Sequence, residues 1–290
     1  MELFKNAMLL LLTVVAALIM QSCNMFGKKD RFSDSPLYNF SKPTVIKLPE
    51  ALDEISGIAY YPKDTSVFAI VDEDGLLFKI PIKNPNAAKQ WRFDKRRDYE
   101  DVVLMDSTFY VLVSNGDIET VHFKGDSIYT EKSDFSTRSK KANEFETLYY
   151  NKDSGNLIIV CKSCEEDNKK TFSSYSYNFR DSVRSYNPYL IFDAMPLAEK
   201  LGIEKFRAKP SAAAINPVTD ELYILSSINH FIAIFSKKGE FKELYKLDPA
   251  IYKQAEGITF TPQGDMIMSN EQAETGFAEL LVLKNKTKGR

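Results

Sequence analysis

Short apolar runs recur along this chain in groups of three or four, separated by polar residues. The first run of each group carries a near-repeated phrase: Ser56-Gly-Ile-Ala-Tyr-Tyr-Pro62, Glu100-Asp-Val-Val-Leu-Met-Asp106, Glu146-Thr-Leu-Tyr-Tyr-Asn151, Ser211-Ala-Ala-Ala-Ile-Asn-Pro217 and Glu256-Gly-Ile-Thr-Phe-Thr-Pro262. Their opening residues lie 44, 46, 65 and 45 positions apart. Second runs follow at 67–71, 109–113, 157–160, 222–225 and 266–268. Third runs follow at 76–82, 118–123, 172–179, 231–236 and 278–283, and weaker fourth runs at 89–93, 127–131, 189–192 and 240–247. Asp, Ser, Asn and Gly between the runs supply the backbone shapes that tight hairpins require. Strand-rich units repeating about every 45 residues predict a propeller, because each unit buries its faces only against its neighbours.

The last group lacks a fourth run, and an orphan run at 44–48 precedes the first group. Placing 44–48 in the outer position of the last blade ties the chain ends together and removes an open edge. The expected fold is therefore all-β, a five-bladed β-propeller of four-stranded antiparallel blades over residues 37–285. Six blades is the alternative. The long third interval accommodates a short helix over 194–206, with apolar residues at 197, 201 and 203 and an end near Gly202.

Composition narrows the setting. Hydrophobic residues make up 44% of the 290, enough for a sizeable core, and a net charge of −2 offers no electrostatic case for nucleic acid. Residues 1–22 read as a signal peptide: Lys5, an apolar run at 7–20, then Gln21-Ser22 before Cys23. The run is short for a membrane span, and its end resembles a bacterial lipobox. That resemblance implies cleavage before Cys23, lipidation of Cys23 and tethering to the cell envelope, with the outer membrane the expected site. Residues 23–36 read as a flexible tether and 286–290 as a disordered basic tail. Cys161 and Cys164 are either a local disulfide or two reduced thiols; without a second CxxC they do not form a zinc site. A monomer is expected.

Candidate chemistry gathers at the strand starts. The repeated phrase opens on Ser56, Glu100, Glu146, Ser211 and Glu256, and two residues earlier stand Glu54, Asp98, Glu144, Lys209 and Gln254. Strand period puts both sets on one side, as two polar rings at a channel mouth. The second strands end on the same face with Asp72, Asn115, Lys162, Ser226, Asn270 and Glu271, and His230 lies just beyond. Three uses of the rings stand open. Glu100, Glu146, Glu256 and Asp72 could ligate a cation such as Ca²⁺, which prefers several oxygen ligands, with Asn270 adding one more. The same residues could brace neighbouring blades through backbone N–H groups. They could also hold a small polar or cationic organic ligand. His122 lies within a strand and reads as packed. Lys95-Arg96-Arg97 reads as a solvated loop.

Five stretches carry a family resemblance: Glu54-Ile-Ser-Gly-Ile-Ala-Tyr-Tyr-Pro62, Asp98-Tyr-Glu-Asp-Val102, Phe145-Glu-Thr-Leu-Tyr149, Lys209-Pro-Ser-Ala212 and Ala255-Glu-Gly-Ile-Thr-Phe260. In order and spacing, over residues 45–283, they resemble the SdiA-regulated family of bacterial propellers. Thr147 departs from the family's usual Gly, and Val103-Leu104 from its Ala-Tyr. The resemblance implies the propeller fold and supplies no catalytic residues.

The functional expectation is a lipid-anchored envelope module that binds an envelope protein or small polar ligand at a polar, calcium-binding mouth. The alternative is a metal-dependent hydrolase of a lactone or phosphate ester, working through metal-activated water. Lys162 and Lys209 are few for holding phosphate. Peptide binding would need exposed aromatics on the same face, for which Phe231 and Phe277 are the candidates.

Overall fold

A computed structural model describes residues 32–135, 143–180, 185–273 and 276–287. The segment read as a signal peptide, Cys23 and the last three residues lie outside that set. Among the described residues twenty strands form five four-stranded antiparallel sheets. β1 spans Thr44–Lys47. The first blade is β2 (Ile55–Tyr61), β3 (Ser66–Val71), β4 (Leu76–Pro81) and β5 (Lys89–Arg92). The second is β6 (Tyr99–Met105), β7 (Thr108–Val113), β8 (Ile118–Lys124) and β9 (Ser127–Ser133). The third is β10 (Glu144–Asn151), β11 (Asn156–Ser163), β12 (Thr171–Asn178) and β13 (Ser185–Asp193). The fourth is β14 (Ala212–Asn216), β15 (Glu221–Ser226), β16 (Phe231–Phe235) and β17 (Phe241–Lys246). The fifth is β18 (Ala255–Phe260), β19 (Met266–Asn270) and β20 (Glu279–Leu283), completed by β1.

β1 pairs antiparallel with β20, Thr44 against Val282 and Lys47 against Glu279, so the first strand closes the last blade as expected. The protein is a five-bladed propeller. Its core consists of five apolar clusters, each filling the boundary between two neighbouring blades. Ile267 and Leu280 of the fifth blade meet Ile58 and Val67 of the first, so the ring is complete. The inner strands touch in the order β2, β6, β10, β14, β18 and back to β2.

In this radial arrangement, side chains of a regular inner strand alternate between two blade boundaries. Leu148 enters the cluster shared with the second blade, and Tyr149 the one shared with the fourth. Where that alternation breaks, a side chain can be re-aimed toward the axis.

The insertion contains α1 (Met195–Leu201), with Pro196 in its first turn and Gly202 left-handed at its end (φ 73°), where it bonds back to Ala198 and Glu199. Leu197 is buried between the third and fourth blades. Among the described residues no helix is long and apolar enough to cross a membrane.

Residues 35–38 and 285–287, which border the propeller, are more tightly held than the sequence suggests. Ser35 is buried and its hydroxyl accepts the N–H of Tyr38 at 2.7 Å. Tyr38 Oη donates to Gly264 O and accepts from Asn216 Nδ2, both at 2.7 Å. Packing therefore begins inside the segment read as tether. At the other end Lys286 N donates to Leu37 O at 2.9 Å, and Thr287 N to Asn285 Oδ1 at 3.0 Å. Lys286 and Thr287 thus belong to the fold rather than to a disordered tail.

Candidate functional site

Four of the five inner strands carry a register break at the repeated phrase. It falls between Ile55 and Ile58 in β2, Tyr99 and Asp101 in β6, Phe145 and Thr147 in β10, and Ala255 and Gly257 in β18. The bulged residue is the extra one, and a bulge re-aims its side chain. In the second, third and fifth blades that residue is Glu100, Glu146 or Glu256, and all three line one cavity of about 230 Å³ at the channel's upper mouth. β14 pairs without a break, and Ser211 before it stays off the cavity.

Among the described residues, eight carboxylates and one lysine line this mouth. Glu54, Asp98 and Glu144 form an exposed outer tier, while Glu100 and Glu256 are half-buried and Glu146 is 9% exposed. Asp72 and Glu271, from the ends of β3 and β19, complete the acidic set with Ser56 beside them. Glu271 was not among the candidate ligands. Its signal was its place one residue beyond β19, the register that Asp72 occupies beyond β3.

Lys162, at the matching position in β11, is the single cation of the lining among the described residues. It pairs with Glu146 and, at 3.1 Å, with Glu144. Cys161 and Cys164, on either side, are joined in a disulfide. Cys164 N also donates to Asp167 Oδ2 at 3.2 Å, which further fixes this strand end.

The crowding is visible in the ionisation of the mouth. Burial, followed by the charges of Asp98 and Asp72, pushes the Glu100 carboxyl up to about 9. Burial and the adjacent Asp98 raise Asp72 to about 7. Burial, with Glu256 and Glu54, raises Glu271 to about 7. Burial also raises Glu256, against the opposing effects of Ser227 and Lys162.

Bracing falls to other residues. Ser56 Oγ donates to Glu100 O, Ser211 Oγ to Ala255 O at 3.0 Å, and Ser269 Oγ to Ser56 O at 2.7 Å; each bond crosses a blade boundary. Asp101 accepts Val102 N and Leu148 N, both at 2.8 Å. Glycine in the phrase has the same origin. A Cβ on Gly57 would sit 2.4 Å from Asp101 Cα, and one on Gly257 2.7 Å from Ser56 O, because adjacent backbones approach too closely for a side chain.

Several expected residues lie elsewhere. Ser211 is a brace, and Lys209 and Gln254 do not line the cavity. Asn270 accepts Gln254 N at 3.1 Å and donates to Ile251 O at 3.2 Å, so it shapes the loop below the mouth. Phe231 is buried and Phe277 is half exposed under Lys47. His122 stacks on Tyr129, as its strand position suggested. Arg97 departs from the solvated-loop reading: it bonds Asp117 at 2.6 Å and the fully buried Glu119 at 2.9 Å.

The four residues expected to ligate a metal, Asp72, Glu100, Glu146 and Glu256, do share the mouth. They do not form a preassembled cage. Among the described residues, the acidic or sulfur groups that bring three ligand atoms within 4.8 Å are Cys161, Cys164 and Asp167, where the two sulfurs are bonded to each other. An ion at the mouth would be met by carboxylates that close on it or by its own water shell.

A closed propeller with bulge-directed carboxylates at one mouth defines the class of this protein. The chain belongs to the SdiA-regulated family, whose pattern it matches over residues 40–274. No curated protein matches it. Among solved structures it is similar to a luciferin-regenerating enzyme, with a TM-score of 0.53 and 13% identity over 85% of this chain and 96% of that one. It is also similar to a glucose dehydrogenase, with a TM-score of 0.52 and 8% identity over 83% of this chain and 99% of that one. At such identities the likeness is one of fold.

Proposed function

We propose that this chain is an envelope-tethered binding propeller whose acidic mouth takes a cation, with Ca²⁺ the leading candidate. The observation that carries this reading is the division of labour between side chains. Ser56, Ser211, Ser269 and Asp101 brace the blades. Three bulges meanwhile deliver glutamates into a cavity with eight carboxylates and one lysine. That arrangement raises the carboxyls of Asp72, Glu100 and Glu271. Groups held at such a cost to folding are characteristic of sites that use them, and a cation would relieve their repulsion. Ca²⁺ suits a flexible set of oxygen ligands at several depths.

A hydrolase of phosphate esters fits less well, because among the described residues the one lysine of the lining is already paired and the eight carboxylates beside it repel phosphate. The tether rests on the lipobox-like segment ending at Cys23.

Thermal melts in excess Ca²⁺ and in chelator test the reading. An ion bound by the folded state alone must raise the melting temperature in proportion to its saturation. Identical melts in the two conditions would remove Ca²⁺ as the ligand.

A further inference from the structure

We propose that Lys162 is a tethered internal cation that occupies the mouth and competes with the external ion for the same glutamates. This rests on the cation-binding reading above and specifies how that site is regulated.

Lys162 is placed for that role by three features. Its ammonium pairs with Glu146 and Glu144, one from each acidic tier of the third blade. It also shares one cavity lining with Glu100 and Glu256, the inner glutamates of two other blades. It therefore neutralises the ring as an entering ion would. Finally, its backbone has little freedom. Lys162 stands in β11 between Cys161 and Cys164, whose disulfide closes the strand end, and Asp167 holds that end again through Cys164 N and Ser173 N.

With the backbone fixed, the ammonium leaves the mouth only by rotation about its own side-chain bonds. No blade has to move. Such a swing frees the carboxylates of Glu146 and Glu144 and removes a positive charge from the cavity the inner glutamates share, which allows them to close on an ion. The corresponding positions in the first, second and fifth blades are Asp72, Ser114 and Glu271, so the lysine is not a demand of the repeat.

The consequence is a weak, readily released ion in the wild-type protein and a tighter one when Lys162 loses its charge. The test is equilibrium dialysis of Ca²⁺ against the full chain, its Lys162→Met variant and its Lys162→Arg variant. The expected result is at least tenfold tighter binding by Lys162→Met, with Lys162→Arg close to wild type because the internal charge is retained. Equal or weaker binding by Lys162→Met, with Ca²⁺ still bound by wild type, overturns the role of Lys162 and leaves the cation site standing. No binding by any of the three up to about 10⁻² M, above the range of weak extracellular calcium modules, overturns both. A melt of each variant in chelator confirms that it is folded. Without calcium, Lys162→Met is expected to be the least stable of the three, since it leaves the glutamates uncompensated.

Discussion

Asp101 Oδ2 accepts the backbone N–H of Leu148 at 2.8 Å, across the boundary between the second and third blades. Its other oxygen accepts Val102 N at the same distance, and the side chain is buried. In the repeat Asp101 stands where the first and last blades have Gly57 and Gly257. One column of the repeat thus joins blades by two devices, contact of bare backbone or a carboxylate that reaches the next strand.

Replacing Asp101 with Ala should destabilise the fold by about 3 kcal/mol, because two buried N–H groups lose their acceptor. Urea unfolding of the variant measures this. A loss under about 1 kcal/mol would mean that these bonds are readily replaced.

Gly57→Ala should cost about 3 kcal/mol, at the upper end of overpacking, since its Cβ would lie 2.4 Å from Asp101 Cα and 2.7 Å from Val102 N. Gly125→Ala is the control. It meets nothing within 4 Å and carries only the strain of φ 63°, worth about 1 kcal/mol. Equal melting temperatures for the two variants would contradict the close approach of the blades.

The acidic mouth and the braces should separate under mutation. Ser211→Ala removes a bond to Ala255 O and to Ser227 N and should lower stability by about 1–2 kcal/mol while leaving calcium affinity unchanged. Glu100→Gln should do the reverse: higher stability in chelator at neutral pH, and weaker calcium binding. Paired melts and dialysis read both effects. Loss of calcium binding in Ser211→Ala at a temperature where it is folded would show that the two roles are not distinct.

Stability without calcium should fall as pH rises. Asp72 and Glu271 ionise near 7 in the folded protein and Glu100 near 9, whereas the ordinary values are 3.8 for Asp and 4.5 for Glu. Above the ordinary values the unfolded chain has released protons that the folded chain still holds. The stabilisation is therefore complete below about pH 4 and is lost as pH climbs through about 7 and then about 9. Melts in chelator from about pH 5 to about pH 9 should show a steady decline, reduced in Glu100→Gln. A profile that rises across this window would refute the raised carboxyls.

The architecture was legible because a propeller writes each blade into the sequence. The repeated phrase marked five inner strands, and the orphan run at 44–48 marked the closure that β1 makes with β20. Outer strands were less visible. β13 runs from Ser185 to Asp193, well beyond the apolar run at 189–192, because a half-exposed edge alternates weakly. The site was half legible. Which residues were acidic could be read; why they face the axis could not. Period-two reasoning put Asp98 and Glu100, and their counterparts in the other blades, on one face. In radial blades that face belongs to a neighbour, and the bulges turn Glu100, Glu146 and Glu256 inward. Pairing register carries that information, and a single strand does not display it. Asp101 in the glycine column was the overlooked signal, since a carboxylate replacing a close-contact glycine needs partners of its own.

The most direct test of the cation-binding mouth is Ca²⁺ dialysis of the full chain beside a Glu100→Gln/Glu256→Gln variant. Wild type should bind one ion saturably, with a dissociation constant on the order of 10⁻³ M, and the double variant should lose at least tenfold in affinity while melting at the same or a higher temperature in chelator. Equal affinity in the two proteins, or no saturable binding by wild type, would contradict it.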